Sequence, residues 1–231
     1  MVEEKVAGGA VRPVRDLALP PGAAWFHLAT AVVTTAALVL QFVLTTTTTG
    51  QPLPVRWLRL ASYFTIQSNL LVAVAAWALW LRPARGVRLL FKVVRLDGLV
   101  GITVTGLVYV VVLRPTVDLD GWWAVADTLL HYVVPLLAVV GWAVYGPRRR
   151  TDRRVVLLAL VWPVAWFAWT LAHGAVAGFY PYPFVDVDDL GYGSVLGNAA
   201  LVTALLLAAA AAYLWADRWL DARARRPRWI A

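Results

Sequence analysis

Cysteine is absent from the chain, which excludes disulfides, thiolate metal sites and a thiol nucleophile. Charge is scarce as well: 15% of the 231 residues are Asp, Glu, Lys or Arg, whereas 61% are hydrophobic and the mean hydropathy is +0.70. A soluble domain holds roughly 45–50% apolar residues, and no polar stretch here is long enough to build a water-soluble core. Internal repeats are missing. Gly191, Gly193, Ser194 and Gly197 do not form the G-x-S-x-G elbow of a serine hydrolase. Asp186, Asp188 and Asp189 lack the full spacing of a calcium loop and read as a solvated acidic connection.

What is present is hydrophobic length. Spans of about 20 apolar residues fall near 24–45, 57–81, 97–114, 122–145, 155–176 and 194–216, and the third can begin as early as Leu89. The sequence therefore predicts an all-α integral membrane protein: a six-transmembrane-helix bundle forming a single membrane-embedded domain over 1–231. The first run follows a charged leader, and 39–49 shows no small-x-small cleavage pattern. It is expected to be a retained helix rather than a signal peptide.

The net charge of +8 is gathered beside the spans, where topology and anionic head groups explain it better than a nucleic-acid groove. Lys5, Arg12 and Arg15 precede the first span. Arg82, Arg85, Arg88, Lys92 and Arg95 follow the second, Arg148, Arg149, Arg150, Arg153 and Arg154 follow the fourth, and Arg218, Arg223, Arg225, Arg226 and Arg228 follow the sixth. The positive-inside rule puts these segments, and both the N and C termini, in the cytoplasm; the expected location is a bacterial plasma (inner) membrane. The Thr-rich stretch 45–49, the turn at Asp118 and Asp120, and the loop 177–193 then face outward. Trp57, Trp122, Trp123, Tyr180, Tyr182 and Tyr192 fit an interfacial aromatic belt. Membrane lipids or an acyl-ester substrate are the expected partners, with no nucleic acid, no metal and no cofactor.

Polar residues inside a span are costly and mark candidate sites. Counting from Trp57 and Trp122 at 1.5 Å per residue, Thr65 and His131 lie roughly 12 and 13 Å below the outer surface. Ser68, Asn69, Thr105, Tyr109, Asp127, Thr128, Thr170, His173, Ser194 and Asn198 fall in the same outer half, and the inner half reads as nearly bare. An outward-opening polar cavity follows, with the aromatic loop 177–193 as its cover. Thr65 is a candidate nucleophile, although a membrane threonine often bonds back to a carbonyl one turn earlier. His131 is a candidate general base or a histidine making one interhelical bond. Asp127, one turn from His131, can orient it or sit hydrated at the interface. Asn69, Asn198 and His173 are further orienting or oxyanion candidates. Pro135 removes the donor that the His131 carbonyl would use. A haem held by His131 and His173 is disfavoured by a depth offset of roughly 8 Å.

Two segments carry a resemblance. Tyr63-Phe64-Thr65-Ile66-Gln67-Ser68-Asn69 and Leu130-His131-Tyr132-Val133-Val134-Pro135 are similar to the androgen-induced protein family of membrane threonine hydrolases, in its bacterial branch. The likeness extends to the six-span layout, the kinked fourth helix and the aromatic last outer loop. It implies hydrolysis of fatty acid esters of hydroxy fatty acids, with Thr65 as nucleophile and His131 as its histidine partner. A non-enzymatic protein that binds or transports lipid, or a membrane scaffold, remains the other reading of the same cavity.

Overall fold

Gly22, at φ 80°, turns the chain into the first helix, α1 (Ala23–Thr47). In the computed structural model, residues 20–82, 88–148 and 151–224 are described; Lys5, Arg12, Arg15, Arg85, Arg149, Arg150, Arg225, Arg226, Arg228 and both termini lie outside them. One face of α1 buries the small residues Ala23, Ala31 and Ala37 beside Thr30 and Thr34, which lets its backbone pack closely on a neighbour. The Thr30 and Thr34 hydroxyls donate to carbonyls one turn back, at 2.9 and 2.7 Å. Thr45, Thr46 and Thr47 belong to this helix. Its C-terminal carbonyls accept from the Arg56 guanidinium at Thr45 O (2.9 Å), Thr46 O (2.8 Å) and Thr48 O, a cation at the negative end of a helix.

The expected second span is two helices, α2 (Leu53–Ser62) and α3 (Phe64–Leu81), separated at Tyr63, whose backbone is extended (φ −70°, ψ 126°). Several of the backbone groups that the break frees find new partners. Ile66 and Gln67 donate to Tyr63 O, the Gln67 side-chain amide donates to Ala61 O at 2.9 Å, and Trp166 Nε1 donates to Ser62 O at 2.9 Å. No proline or glycine marks the position; Gln67 of α3 and Trp166 from another helix hold it.

The third span runs from Leu89 to Thr116: α4 (Leu89–Val108), a π turn (Tyr109–Leu113) and a 3-10 turn (Arg114–Thr116). The fourth is α5 (Gly121–Thr128), a second π turn (Leu129–Val133) and α6 (Val134–Tyr145). Both π turns begin six residues before a proline. Arg114 N–H bonds to Tyr109 O just before Pro115, and Val134 N–H bonds to Leu129 O just before Pro135. A proline ring clashes with the carbonyl four residues back, and widening the turn by one residue relieves the clash. The fifth span is α7 (Arg153–Ala159) and α8 (Val161–Ala177), interrupted at Leu160 ahead of Pro163. The last helix, α9 (Val187–Ala224), is much longer than the expected 194–216 and breaks only at Gly191 (φ 72°, ψ 158°). The loop expected over 177–193 therefore shrinks to 178–186, carrying a single 3-10 turn (Pro183–Val185).

Helix α4 is the hub, packing against α3, α6, α7 and α9. Leu96, Leu99, Val100, Ile102 and Val104 fill the core, and Gly101 lies so close to Ser68 and Trp162 that an added Cβ would stand 2.8 and 2.9 Å from them. The described residues are all helix, turn and loop, with six helical stretches long and apolar enough to cross a membrane. Their flanks carry bare apolar side chains: Val176 is 90% exposed, Val111 73% and Leu201 72%. Water leaves so large an apolar surface unsatisfied, whereas lipid covers it. The fold is that of a multi-pass membrane protein.

The half expected to be bare is not. His27, Arg95, Asp97, Asp217 and Asp221 are all buried. Arg95, expected in a connection, lies inside α4 and donates to Gly146 O at 2.5 Å and Pro147 O at 2.9 Å at the end of α6. Asp217 and Asp221 fall on the part of α9 that the hydropathy pattern had left out.

Candidate active site

The break at Tyr63 makes Thr65 the second residue of α3, so its N–H has no intrahelical acceptor. The Tyr182 hydroxyl oxygen accepts that N–H at 3.1 Å and also lies 3.2 Å from Thr65 Oγ1. With the helix interrupted, Ala61 O is taken by Gln67 and the Thr65 hydroxyl does not bond back along the chain. It faces His131 Nε2 at 3.4 Å. Thr65 is only 6% exposed.

His131 sits in the second π turn, and its Nδ1 lies 2.9 Å from Asp127 Oδ1 and 3.1 Å from Asp127 O. A carboxylate beside Nδ1 fixes the proton there, which leaves Nε2 as an acceptor for the Thr65 hydroxyl. Asp127 is held in turn by the Tyr109 hydroxyl, which donates to Oδ2 at 2.5 Å. The Tyr109 ring also stacks on the His131 imidazole, centroids 3.9 Å apart and 13° from parallel. Each π turn thus supplies one partner of the pair.

Asn69 is fully buried and its amide nitrogen donates to Thr65 O at 2.8 Å and Leu130 O at 3.3 Å. Two carbonyls around one amide group fix its orientation, and both N–H bonds are spent, so Asn69 has none left for an oxyanion. It clamps α3 to the π turn. Pro135 leaves Leu130 O without a backbone donor, since the wider turn moves the missing bond one residue back from His131. The other two candidates are elsewhere. Asn198 donates to Phe184 O at 2.9 Å, and His173 stacks on Trp169 with centroids 5.3 Å apart; neither lines the cavity that holds Thr65.

That cavity, of about 610 Å³, contains Thr65, Asp127 and His131 with Tyr109, Arg56, Arg59, Tyr63 and Trp123, and opens among the connections 48–52, 117–120 and 178–186. Phe179, Pro181, Tyr182 and Pro183 of the last connection form part of its wall, and Arg59 lies over the Phe179 ring, 4.5 Å from its centroid. Tyr182, assigned by the sequence to the interfacial belt, is instead buried (8% exposed). Burial pushes its hydroxyl up to about 12, against the pull of its hydrogen bonds to Thr65, so at neutral pH it is a proton donor. Tyr182 is the site residue whose position sequence reasoning missed; Tyr109 stood among the polar residues of the outer half, but its contacts with Asp127 and His131 were not anticipated. The accessible clue was Trp162, Trp166 and Trp169, which share one helical face and bind Gln67 and Ser62 across the break.

No family model, curated protein or solved structure matches this chain.

Proposed function

We propose that this chain is an intramembrane lipid ester hydrolase, a threonine hydrolase of the kind that 63–69 and 130–135 resemble. The observation that carries the reading is the line from Thr65 Oγ1 through His131 Nε2 and Nδ1 to Asp127, at 3.4 and 2.9 Å, beside a cavity wide enough for a substrate. A hydroxyl, a base and an orienting carboxylate in that order make up the nucleophilic triad.

Thr65 Oγ attacks the ester carbonyl while His131 Nε2 takes the hydroxyl proton, and Asp127 stabilises the imidazolium. The Tyr182 hydroxyl, 3.2 Å from Oγ1, donates to the oxygen that becomes negative. Collapse breaks the ester C–O bond, and the departing alcohol carries off the proton from His131. Water then attacks the acyl-threonine, giving one proton to His131, which returns it to Thr65 as the free acid leaves. Basic residues at the end opposite the cavity, such as Arg88, Lys92, Arg153, Arg154 and Arg218, support an orientation with the cavity outward and the termini in the cytoplasm of a bacterial plasma membrane.

Replacing Thr65 by Ala is expected to abolish labelling by a fluorophosphonate probe; undiminished labelling of T65A sinks the assignment. The breaks at Tyr63 and Gly191 favour a second reading, since transporters bind substrates at interrupted helices. Turnover of a lipid ester by the wild-type protein, lost on His131→Ala, separates the enzyme from the transporter.

A further inference from the structure

Thr65 stands at the boundary between two cavities of opposite character. The wide one holds His131, Asp127 and the arginines. The second, about 150 Å³, lies between α4, α8 and α9 and is lined almost wholly by apolar groups, among them Val104, Phe167, Val202 and Leu206. Thr65, Leu113 and Tyr182 line both, whereas His131 and Asp127 line only the first. At the rim of the apolar cavity, Val164 is 67% exposed and Thr203 is also exposed, so it opens sideways through the flank of the bundle, where lipid lies in a membrane.

The proton inventory decides which half of an ester belongs where. The leaving oxygen must lie next to His131 Nε2 to collect its proton, and the deacylating water must reach the same nitrogen. Both therefore occupy the wide, polar cavity. The acyl carbon is bonded to Thr65, so its chain must run the other way, past Tyr182. We propose that the apolar cavity between α4, α8 and α9 is the acyl-chain subsite, entered sideways from the bilayer, with the alcohol portion held in the wide cavity. The assignment rests on the hydrolase reading for its direction and on the shared wall at Thr65 and Tyr182 for its place. Burying an acyl chain among these side chains supplies the apolar transfer energy that selects long esters over short ones.

The test compares p-nitrophenyl octanoate with p-nitrophenyl acetate on full-length protein in detergent. The wild type is expected to favour octanoate, and Ala199→Trp or Val202→Phe, which fill the cavity, should lower the octanoate to acetate ratio of kcat/KM by about 10-fold or more. An unchanged ratio in a variant that melts like the wild type overturns the proposal. A second readout needs no turnover: photolysis of a p-nitrophenyl alkanoate carrying a diazirine at its tail, followed by peptide mapping. Adducts at Phe167, Val202 or Leu206 support the subsite; adducts at Tyr63 or Trp123, or none in the apolar cavity, overturn it. Adducts in the apolar cavity from a protein that cleaves neither ester would leave the subsite standing and remove the hydrolase reading.

Discussion

The two ends of the bundle hold polar residues at similar burial in different backbone settings. At the cavity end the backbone is irregular: a break at Tyr63, π turns at Tyr109–Leu113 and Leu129–Val133, and a kink at Gly191. The reactive side chains there face other side chains, as in Thr65 to His131, His131 to Asp127 and Asp127 to Tyr109, while Arg56 and Asn69 beside them bind carbonyls. At the opposite end Arg95 and Arg148 are bound to helix-end carbonyls, Arg95 at Gly146 and Pro147, Arg148 at Trp142 (2.5 Å) and Ala143. Burial lowers the Arg148 guanidinium below its usual value, and the charges of Asp217 and Asp221 oppose that fall. Depth and polarity alone, then, do not mark a site. Polar groups that finish off helix ends are structural; polar groups held in place by distorted backbone, with a reactive atom facing a cavity, are candidates for chemistry.

The contrast is sharpest at His131. On the proposed hydrolase reading its replacement by Ala removes the base and should lower turnover of a p-nitrophenyl ester on the order of 10⁴-fold, with the melting temperature in detergent nearly unchanged. A variant that instead melts early and turns over normally would put His131 in the structural class. Asp127→Asn comes next, at about 10³-fold. The Asn amide loses the charge that stabilises the imidazolium and can present an N–H to Nδ1. Steady-state kinetics should show the loss in kcat, because the carboxylate touches the base and not the substrate. Tyr182→Phe is expected to cost about 10²-fold by removing the proposed oxyanion donor. It also leaves the Thr65 N–H without its acceptor, so a fall in melting temperature should accompany it.

Much of this was legible in the sequence and some was not, for identifiable reasons. Hydrophobic length reports the spans because a membrane forces the backbone to satisfy itself within each helix, and α1 and α5 to α6 fall close to the predicted bounds. Thr65 and His131 do come together, but not for the reason their depth count offered. That count assumed an unbroken helix from Trp57, and the chain breaks at Tyr63. The break had no local signal, being held by Trp166 and Gln67 rather than by a proline or glycine. Pro135 did announce a distortion, but a kink and a π turn begin from the same clash, and in the π turn that forms, Asn69 binds Leu130 O and Tyr109 stacks on His131. Tyr182 looked like an interfacial aromatic because its neighbours Tyr180 and Tyr192 resemble it in composition; nothing local distinguishes the one that turns inward.

Arg95 supplies the complementary experiment at the other end. Arg95→Met keeps the apolar stem and removes the guanidinium, leaving Gly146 O and Pro147 O without the donors they have now. Hydrogen bonds from a charged group are worth about 1.5–3 kcal/mol each when buried, and some of that returns as the carbonyls relax, so a loss of about 2–3 kcal/mol is expected. Thermal unfolding in detergent measures it. Turnover per folded molecule should stay within about 2-fold of wild type, since distant sites without shared partners act independently. A large fall in kcat with an unchanged melting curve would break the comparison, because it would couple the charged end of α4 to the π turn that the same helix leads into at Tyr109.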